Sequence, residues 1–175
     1  MPAIYTIGYE GTDSDRFVAA LLAHRVELLA DVRAVALSRK KGFSKTALKA
    51  ALDAAGIDYI HFGDLGDPKP GRLAARAGRM QEFRSIYTAH LEGMAARAAL
   101  EALAAVAHRK ATCLLCFERD PRTCHRSIIA GRLGGRGFSR LDLFVDPALP
   151  NDRLTTKLSS LHSRQGVASA EQDVW

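Results

Sequence analysis

Apolar residues recur with two different periods along the first 146 residues, and this alternation predicts strands separated by helices. Segments of strand length that are rich in apolar residues occupy 3–7, 26–32, 57–62, 111–117 and 141–145. Apolar residues three or four apart predict helices over about 14–23, 44–55, 80–108 and 122–133, with Gly93 dividing the third. A stretch rich in Gly and Pro, 63–78, is expected to form a loop. This order predicts a three-layer α/β domain with a mainly parallel sheet of about five strands.

The last part of the chain has a different character. Pro147, Pro150 and the polar stretch 159–172 follow the last predicted strand. We therefore expect a single domain over 1–146 and a loosely held tail over 147–175, through which copies of the chain could form a homo-oligomer.

Composition narrows the range of functions. Of the 175 residues, 47% are hydrophobic, which is enough for a core, yet no apolar run reaches the roughly 18 residues of a membrane span. The N-terminus lacks the basic and apolar regions of a secretion signal, and the number of cysteines, three, is odd. A reducing cytoplasm is therefore expected rather than a disulfide framework. A net charge of +6 favours an anionic partner, either a small molecule or a nucleic acid.

Polar and reactive residues follow the ends of the predicted strands. Ligands of parallel sheets bind beyond the carboxyl ends of the strands, so these residues are expected to meet at one edge. The catalytic candidates are Glu118, Cys124, His125 and Cys116. The candidates for binding substrate are Tyr9, Glu10, Asp31, Arg33, Ser38 and Arg126.

Cys124, His125 and Arg126 stand at the start of a predicted helix, where Asp120 is a candidate cap. The partial positive charge of a helix N-terminus lowers the pKa of a thiol and attracts anions, which favours Cys124 over Cys116 as a nucleophile and Arg126 as an anion ligand. Adjacent side chains on a helix diverge by about 100°, so no hydrogen bond between Cys124 and His125 is expected. The alternative is a small buried cysteine beside a structural arginine that pairs with a buried acid.

Acidic residues near the same edge have two interpretations. Glu118 is either a general acid or base, or the fixed partner of an arginine. Asp31 and Arg33 are two residues apart on one strand and face the same side. A buried ion pair and an active-site network would have the same pattern there.

Three familiar motifs are disfavoured. Cys113 and Cys116 have zinc-like spacing, but two leucines in a strand separate them and one thiol should face away, so no metal is expected. The spacing from Cys116 to Arg122 is that of a phosphatase loop, but the segment contains two acids and a proline, which do not suit a phosphate. Gly8 and Gly11 lack the spacing of a dinucleotide fingerprint, so no nicotinamide is expected, and the sequence predicts no other cofactor.

Two basic stretches complete the pattern. Residues 39–41 follow the second strand, and Arg72, Arg76 and Arg79 have helical spacing. They are either solvated surface charges or an anion-attracting rim around the site. A rim would favour nucleic acid or a phosphorylated metabolite.

Five motifs carry a resemblance to a known family. They are Thr6-Ile7-Gly8-Tyr9-Glu10-Gly11, Asp31-Val32-Arg33 with Ser38-Arg39, Gly56-Ile57-Asp58-Tyr59, Leu65-Gly66, and Leu115-Cys116-Phe117-Glu118 followed by Cys124-His125-Arg126. Over about residues 3–146 the chain resembles the prokaryotic family called domain of unknown function 488, although Ala36 stands where that family usually has Pro. The resemblance implies a Rossmann-like α/β fold in a small cytoplasmic protein and no established reaction. It matches the family's polar positions at Asp31, Arg33, Glu118, Cys124, His125 and Arg126.

The sequence thus predicts a hydrolase or transferase that acts on an anionic substrate such as a nucleotide, a nucleic acid or a phosphometabolite. Arg33 and Arg126 would hold the anion, Glu118 would be the acid or base, and Cys124 the nucleophile. A noncatalytic module that binds nucleic acid or a nucleotide is the alternative, and a redox or metal protein that uses the cysteines is a third hypothesis.

Overall fold

The computed structural model describes residues 1–145, and the expected tail at 147–175 lies outside them. The strands are β1 (Ala3–Gly8), β2 (Leu28–Asp31), β3 (Asp58–His61), β4 (Thr112–Cys116) and β5 (Ser139–Leu143). The helices are α1 (Ser14–Ala23), α2 (Lys45–Ala54), α3 (Lys69–Arg76), α4 (Met80–Leu91), α5 (Met94–Ala107) and α6 (His125–Gly134). Short 3-10 turns lie at Gly63–Leu65 and Pro121–Thr123.

The five strands form one sheet in the order β3-β2-β4-β1-β5, and every neighbouring pair is parallel. This confirms the predicted α/β class with a parallel sheet and a Rossmann-like fold. The central strand, β4, is buried at all five positions, because helices cover both of its faces. None of the helices in residues 1–145 has the length and the apolar character that a bilayer crossing requires.

Two apolar clusters lie on opposite faces of the sheet. On one face, Phe17 of α1 and Leu48 of α2 pack with Leu115 of β4. On the other face, helices α3 to α6 pack against Ile4 and Leu114 of the sheet. The alternation of side chains along β4 therefore turns Cys116 to the same face as Leu114, towards α6.

One helix departs from the sequence prediction. The segment 63–78 was expected to be a loop, but residues Lys69–Arg76 form α3. Pro70 lies in the first turn of this helix, where a missing N–H leaves no hydrogen bond unmade. The helical spacing of Arg72 and Arg76 was the sequence signal for it.

The topology creates a crevice at the end of β4. The connections that leave β1 and β2 lead to α1 and α2 on one face, whereas the connection that leaves β4 leads to α6 on the other. Because β4 lies between β1 and β2, the chain separates in opposite directions at its carboxyl end. Such switch points are where open α/β sheets bind ligands.

Gly8 allows the backbone at the end of β1 to lie close to the loop that follows β4. A Cβ at position 8 would lie 1.9 Å from the carbonyl oxygen of Glu118. We expect Gly8→Ala to lower the free energy of unfolding by about 3 kcal/mol, the upper end of the range for overpacking, because the opposing atom is backbone. Gly131→Ala is the matched control, since nothing lies within 4 Å of a Cβ there and α6 should gain about 0.5–1 kcal/mol. Equal losses in urea unfolding of the two variants would contradict the close approach.

Candidate active site

A cavity of about 650 Å³ opens at the carboxyl ends of β1, β2 and β4. It lies where the topology places the crevice. Six of the sequence-predicted residues line it, namely Tyr9, Arg33, Ser38, Cys116, Glu118 and His125. The structure thus brings together side chains that are up to 116 positions apart in the chain (Tyr9 to His125).

Two thiols meet one imidazole beside this cavity: Cys116 and His125 line it, whereas Cys124 does not. The Nδ1 atom of His125 is 3.6 Å from Sγ of Cys116 and 3.8 Å from Sγ of Cys124. The other ring nitrogen, Nε2, is 2.7 Å from the carbonyl oxygen of Val32. All three side chains are at least 96% buried, so water competes little with these contacts.

The contact between Cys124 and His125 corrects the sequence prediction. Cys124 is not in the helix but is its N-cap, with extended backbone angles of φ −126° and ψ 145°. The divergence of about 100° between neighbours holds only within a helix. The 3-10 turn Pro121–Thr123, capped by Asp120, delays the start of α6 and allows the two adjacent side chains to meet.

The two thiols of the site differ in their ionisation. Burial opposes a charge on Cys124, but the hydrogen bond from Cys116 and the positive charge of His125 hold the pKa of the Cys124 thiol well below its usual range. Burial, together with the neighbouring negative charge of Cys124, raises the pKa of Cys116 well above its usual range. Burial disfavours the charge of His125, yet the Cys124 thiolate raises the pKa of this histidine to about 9. The site therefore favours a Cys124 thiolate beside a His125 imidazolium.

Glu118 supplies a carboxyl group next to the thiols. Its Oε2 atom is 3.0 Å from Sγ of Cys116, so it competes with the Cys124 sulfur for the single thiol hydrogen of Cys116. Burial, followed by the negative charge of Cys124, raises the pKa of Glu118 to about 7. A carboxyl group with such a pKa can both donate and accept a proton near neutral pH.

Asp67 is a site residue that sequence reasoning missed. Its Oδ1 lies 3.9 Å from Nδ1 of His125, and it lines the same cavity. Burial raises the pKa of this carboxyl group, while the charges of His125 and Arg72 lower it. The signal was the position of Asp67 directly before Pro68 and α3, a helix that the sequence analysis treated as loop.

Cys113 is separated from the site, as the interpretation of its zinc-like spacing predicted. It is fully buried in the cluster of Leu29 and Leu115, on the opposite face of the sheet from Cys116. Burial raises the pKa of the Cys113 thiol far above its usual value. Cys113 therefore serves as an internal control for thiol chemistry at the site.

Asp31 and Arg33 form a buried ion pair beside the cavity. Oδ2 of Asp31 is 2.6 Å from Nη2 of Arg33, and Oδ1 accepts from Nε at 2.8 Å. Tyr59 donates its hydroxyl hydrogen to the same carboxylate at 2.6 Å. Nη1 of Arg33 donates to the Tyr9 hydroxyl and to the carbonyl of Phe43. Although Arg33 lines the cavity, most of its donors are already used.

The structure does not bring Arg126 to the cavity lining, contrary to the expected role with Arg33. Arg126 lies in the first turn of α6 and is completely buried, and its Nε donates to the Thr6 hydroxyl at 3.2 Å. Its other nitrogens donate to the carbonyls of Glu118 and Arg119. Arg126 does not pair with Asp31 either. Because it binds the carbonyls of residues 118 and 119, Arg126 fixes the loop that carries Glu118.

Glu10 supports the same loop from the other side. It is exposed and does not line the cavity, but its carboxylate accepts a hydrogen bond from the backbone N–H of Arg119 at 2.9 Å. The backbone N–H of Glu10 donates to the carbonyl of Phe117. Glu10 and Arg126 are thus positioning residues for Glu118 rather than contacts for a ligand in the cavity.

Three arginines of the two basic stretches, Arg39, Arg72 and Arg76, lie on the cavity lining and form a rim, whereas Lys40, Lys41 and Arg79 do not line it. Arg72 donates to the backbone carbonyl of Asp67 at 2.5 Å. Arg39 and Arg76 are exposed, and within residues 1–145 neither has a hydrogen-bond or ion-pair partner. Beside them the apolar side chains of Leu37 and Phe117 are 75% and 44% exposed. The rim combines positive charge with apolar surface.

Cys124 does not line the large cavity but borders a second, smaller one of about 310 Å³, which Arg84, Arg122 and Arg140 also line. Arg122 is directed to solvent, with 85% of its side chain exposed, and pairs with Asp120. The guanidinium group of Arg122 is therefore already paired with a carboxylate at the surface.

The parallel sheet, the crevice at β4 and the thiol–imidazole group define an α/β protein of Rossmann-like type with a candidate thiol site. The chain belongs to the family described as "Domain of unknown function DUF488", which matches residues 13–133 and includes Asp31, Arg33, Glu118 and the two site cysteines. No curated protein and no solved structure matches the chain.

Proposed function

We propose that this protein is a cysteine-dependent hydrolase or transferase that acts on an anionic substrate at the carboxyl edge of the sheet. The observation that carries the proposal is the cluster of Cys116, Cys124, His125 and Glu118. All of these residues except Cys124 line a cavity rimmed by arginines. A nucleophile beside a base, with a third group that orients the base, is typical of covalent catalysis. Here the Val32 carbonyl orients His125.

The residues have separate roles in this reaction. The Cys124 thiolate attacks the electrophilic centre of the substrate and forms a covalent bond through sulfur, while Glu118 gives its proton to the leaving group. Water, or an acceptor molecule in a transferase, then attacks the same centre. Its proton passes to the Glu118 carboxylate as the bond to sulfur breaks. Arg39 and Arg76 attract the anionic part of the substrate.

Mass spectrometry of the intact protein tests this proposal. The protein is incubated with a panel of activated anionic aryl esters, aryl phosphates and aryl phosphodiesters. We expect release of the aryl alcohol by at least one donor, with a covalent adduct on the wild-type chain and none on Cys124→Ala. Glu118→Gln should slow release of unsubstituted phenol by about 100-fold, the usual contribution of a general acid, and should have less effect on activated leaving groups, which depart without a proton. Release at the wild-type rate by Cys124→Ala, or no reaction with any donor, would contradict the proposal.

Binding of nucleic acid without catalysis is the second candidate function, and the composition of the rim favours it. Unpaired guanidinium groups beside exposed Leu37 and Phe117 resemble the mixture of charge and stacking surface that holds single strands. This function would not need the thiols, so Cys124→Ala would bind an oligonucleotide as tightly as the wild type.

Arg76→Ala tests the rim directly. The dissociation constant of a fluorescent single-stranded oligonucleotide is measured between 50 and 200 mM salt. If Arg76 contacts a phosphate, the variant should reduce the slope of log K against log salt by about 0.7. Arg97→Ala removes the same charge from an exposed position on α5 outside the cavity and should leave the slope unchanged. Identical slopes for Arg76→Ala and wild type would exclude Arg76 from the contact.

A further inference from the structure

The two thiols and the imidazole of the site have the spacing of metal ligands. Sulfur atoms of Cys116 and Cys124 lie 3.6 and 3.8 Å from Nδ1 of His125. Tetrahedral Zn²⁺, with Zn–S of about 2.3 Å and Zn–N of about 2.0–2.1 Å, would separate sulfur and nitrogen by about 3.6 Å. The three ligand atoms all lie within 4.8 Å of one another. An ion can therefore be accommodated among them with only small movements.

The orientation of His125 suits the same role. Its Nε2 atom lies 2.7 Å from the Val32 carbonyl, which can only accept a hydrogen bond. Nε2 therefore carries a hydrogen, and Nδ1 is the nitrogen that faces both sulfurs. Metal-binding histidines commonly donate the other ring N–H to a backbone carbonyl, which fixes the ring and its tautomer.

The surroundings supply access and a fourth position. Cys116 and His125 line the large cavity, so an ion can enter from there. Glu118 Oε2 is 3.0 Å from the sulfur of Cys116, and Asp67 Oδ1 is 3.9 Å from Nδ1 of His125. Either carboxylate can move to bind the ion or hold a water on it. Two sulfur ligands and one imidazole favour a thiophilic ion over Mg²⁺ or Ca²⁺.

We propose that Cys116, Cys124 and His125 bind one Zn²⁺ ion, whose fourth position faces the cavity. The bound ion occupies the sulfur lone pairs, so it masks the thiol that the proposed function uses as its nucleophile. The metal-bound and the reactive states exclude each other. Zinc binding itself requires no substrate and does not depend on the proposed reaction.

Zinc alone is the probe in the first experiment, with the whole chain freed of metal by a chelator. Titration against a chromogenic chelator should give one zinc per chain. Iodoacetamide labelling of the site should fall at least tenfold at saturating zinc. Cys116→Ala and Cys124→Ala should each weaken binding at least 100-fold. Cys113→Ala, which removes a thiol from the opposite face of the sheet, should bind as the wild type does.

Cobalt(II) provides a readout that needs no variant. Added to the wild-type protein, it should produce a thiolate-to-metal charge-transfer band and the strong visible bands of four-coordinate cobalt. Fewer than about 0.1 zinc per chain, or a cobalt spectrum without the thiolate band, would overturn the proposal. Far-UV circular dichroism of each alanine variant shows whether loss of binding reflects loss of fold.

The outcomes separate this proposal from the proposed function. Alkylation of Cys124 without zinc binding overturns the metal site and supports the nucleophile. Zinc binding to a protein whose metal-free thiols do not alkylate at neutral pH supports the metal site and contradicts the nucleophile.

Discussion

Replacement of Cys124 by alanine is expected to abolish the reaction of the metal-free protein with iodoacetamide at pH 7. The thiolate is the reacting species, and His125 with the hydrogen bond from Cys116 stabilises it on Cys124 against the opposing effect of burial. A thiol with an ordinary pKa of about 8.5 is only about 3% ionised at pH 7, so full ionisation of Cys124 should speed its reaction by up to about 30-fold relative to such a thiol.

Peptide mapping by mass spectrometry assigns the label among the three cysteines. Wild type and Cys113→Ala should carry it on Cys124, because Cys113 is fully buried in the other face of the core. Cys116→Ala should still be labelled on Cys124, more slowly, since it loses the hydrogen bond that Cys116 donates. Labelling of Cys116 at the wild-type rate in Cys124→Ala would move the nucleophile to Cys116.

The second large effect is expected from Asp31→Asn, which should lower the free energy of unfolding by about 3–5 kcal/mol. The variant leaves the charge of Arg33, whose side chain is only 7% exposed, without its carboxylate. It also weakens the hydrogen bond from Tyr59. Urea unfolding followed by circular dichroism measures the loss.

Asp53→Asn is the matched control, because it breaks an exposed pair with Lys49 on α2. Both side chains of that pair are more than half exposed, and its loss should cost less than about 0.5 kcal/mol. A large loss for Asp31→Asn alone identifies the ion pair as structural. If the two variants lose similar amounts, Asp31 is free for a role in the site and the structural interpretation fails.

The sheet could be predicted from the sequence because each strand is a short segment whose apolar residues are close together in the chain. Apart from Thr112, the run around β4 is apolar throughout, as is usual for a strand that is covered on both faces. Gly and Pro, by contrast, concealed α3, since both residues are usual in loops and Pro70 is tolerated only because of its place in the first turn. Because α3 was not predicted, the position of Asp67 directly before it was not predicted either.

The site depended on details that no residue pattern specifies. Arg33 and Arg126 have the same chemistry in the sequence, yet one lies at the cavity and the other is buried in the first turn of α6 with its donors used by Thr6 and two carbonyls. The contact of Cys124 with His125 depended on one residue of helix boundary, which sequence patterns do not fix. The proximity of Cys116 to Cys124 depends on how the end of β4 is positioned relative to the start of α6, which sequence patterns do not specify.

Direct titration of the thiolate tests whether the folded protein holds Cys124 in its ionised form beside His125. The ultraviolet absorbance of thiolate is followed against pH in metal-free wild type and in Cys124→Ala. We expect the wild type to have one thiolate per chain already at pH 7 and Cys124→Ala to have none. A first thiolate that forms only above the ordinary cysteine pKa of about 8.5, or the same curve for Cys124→Ala, would show that Cys124 is not the ionised residue.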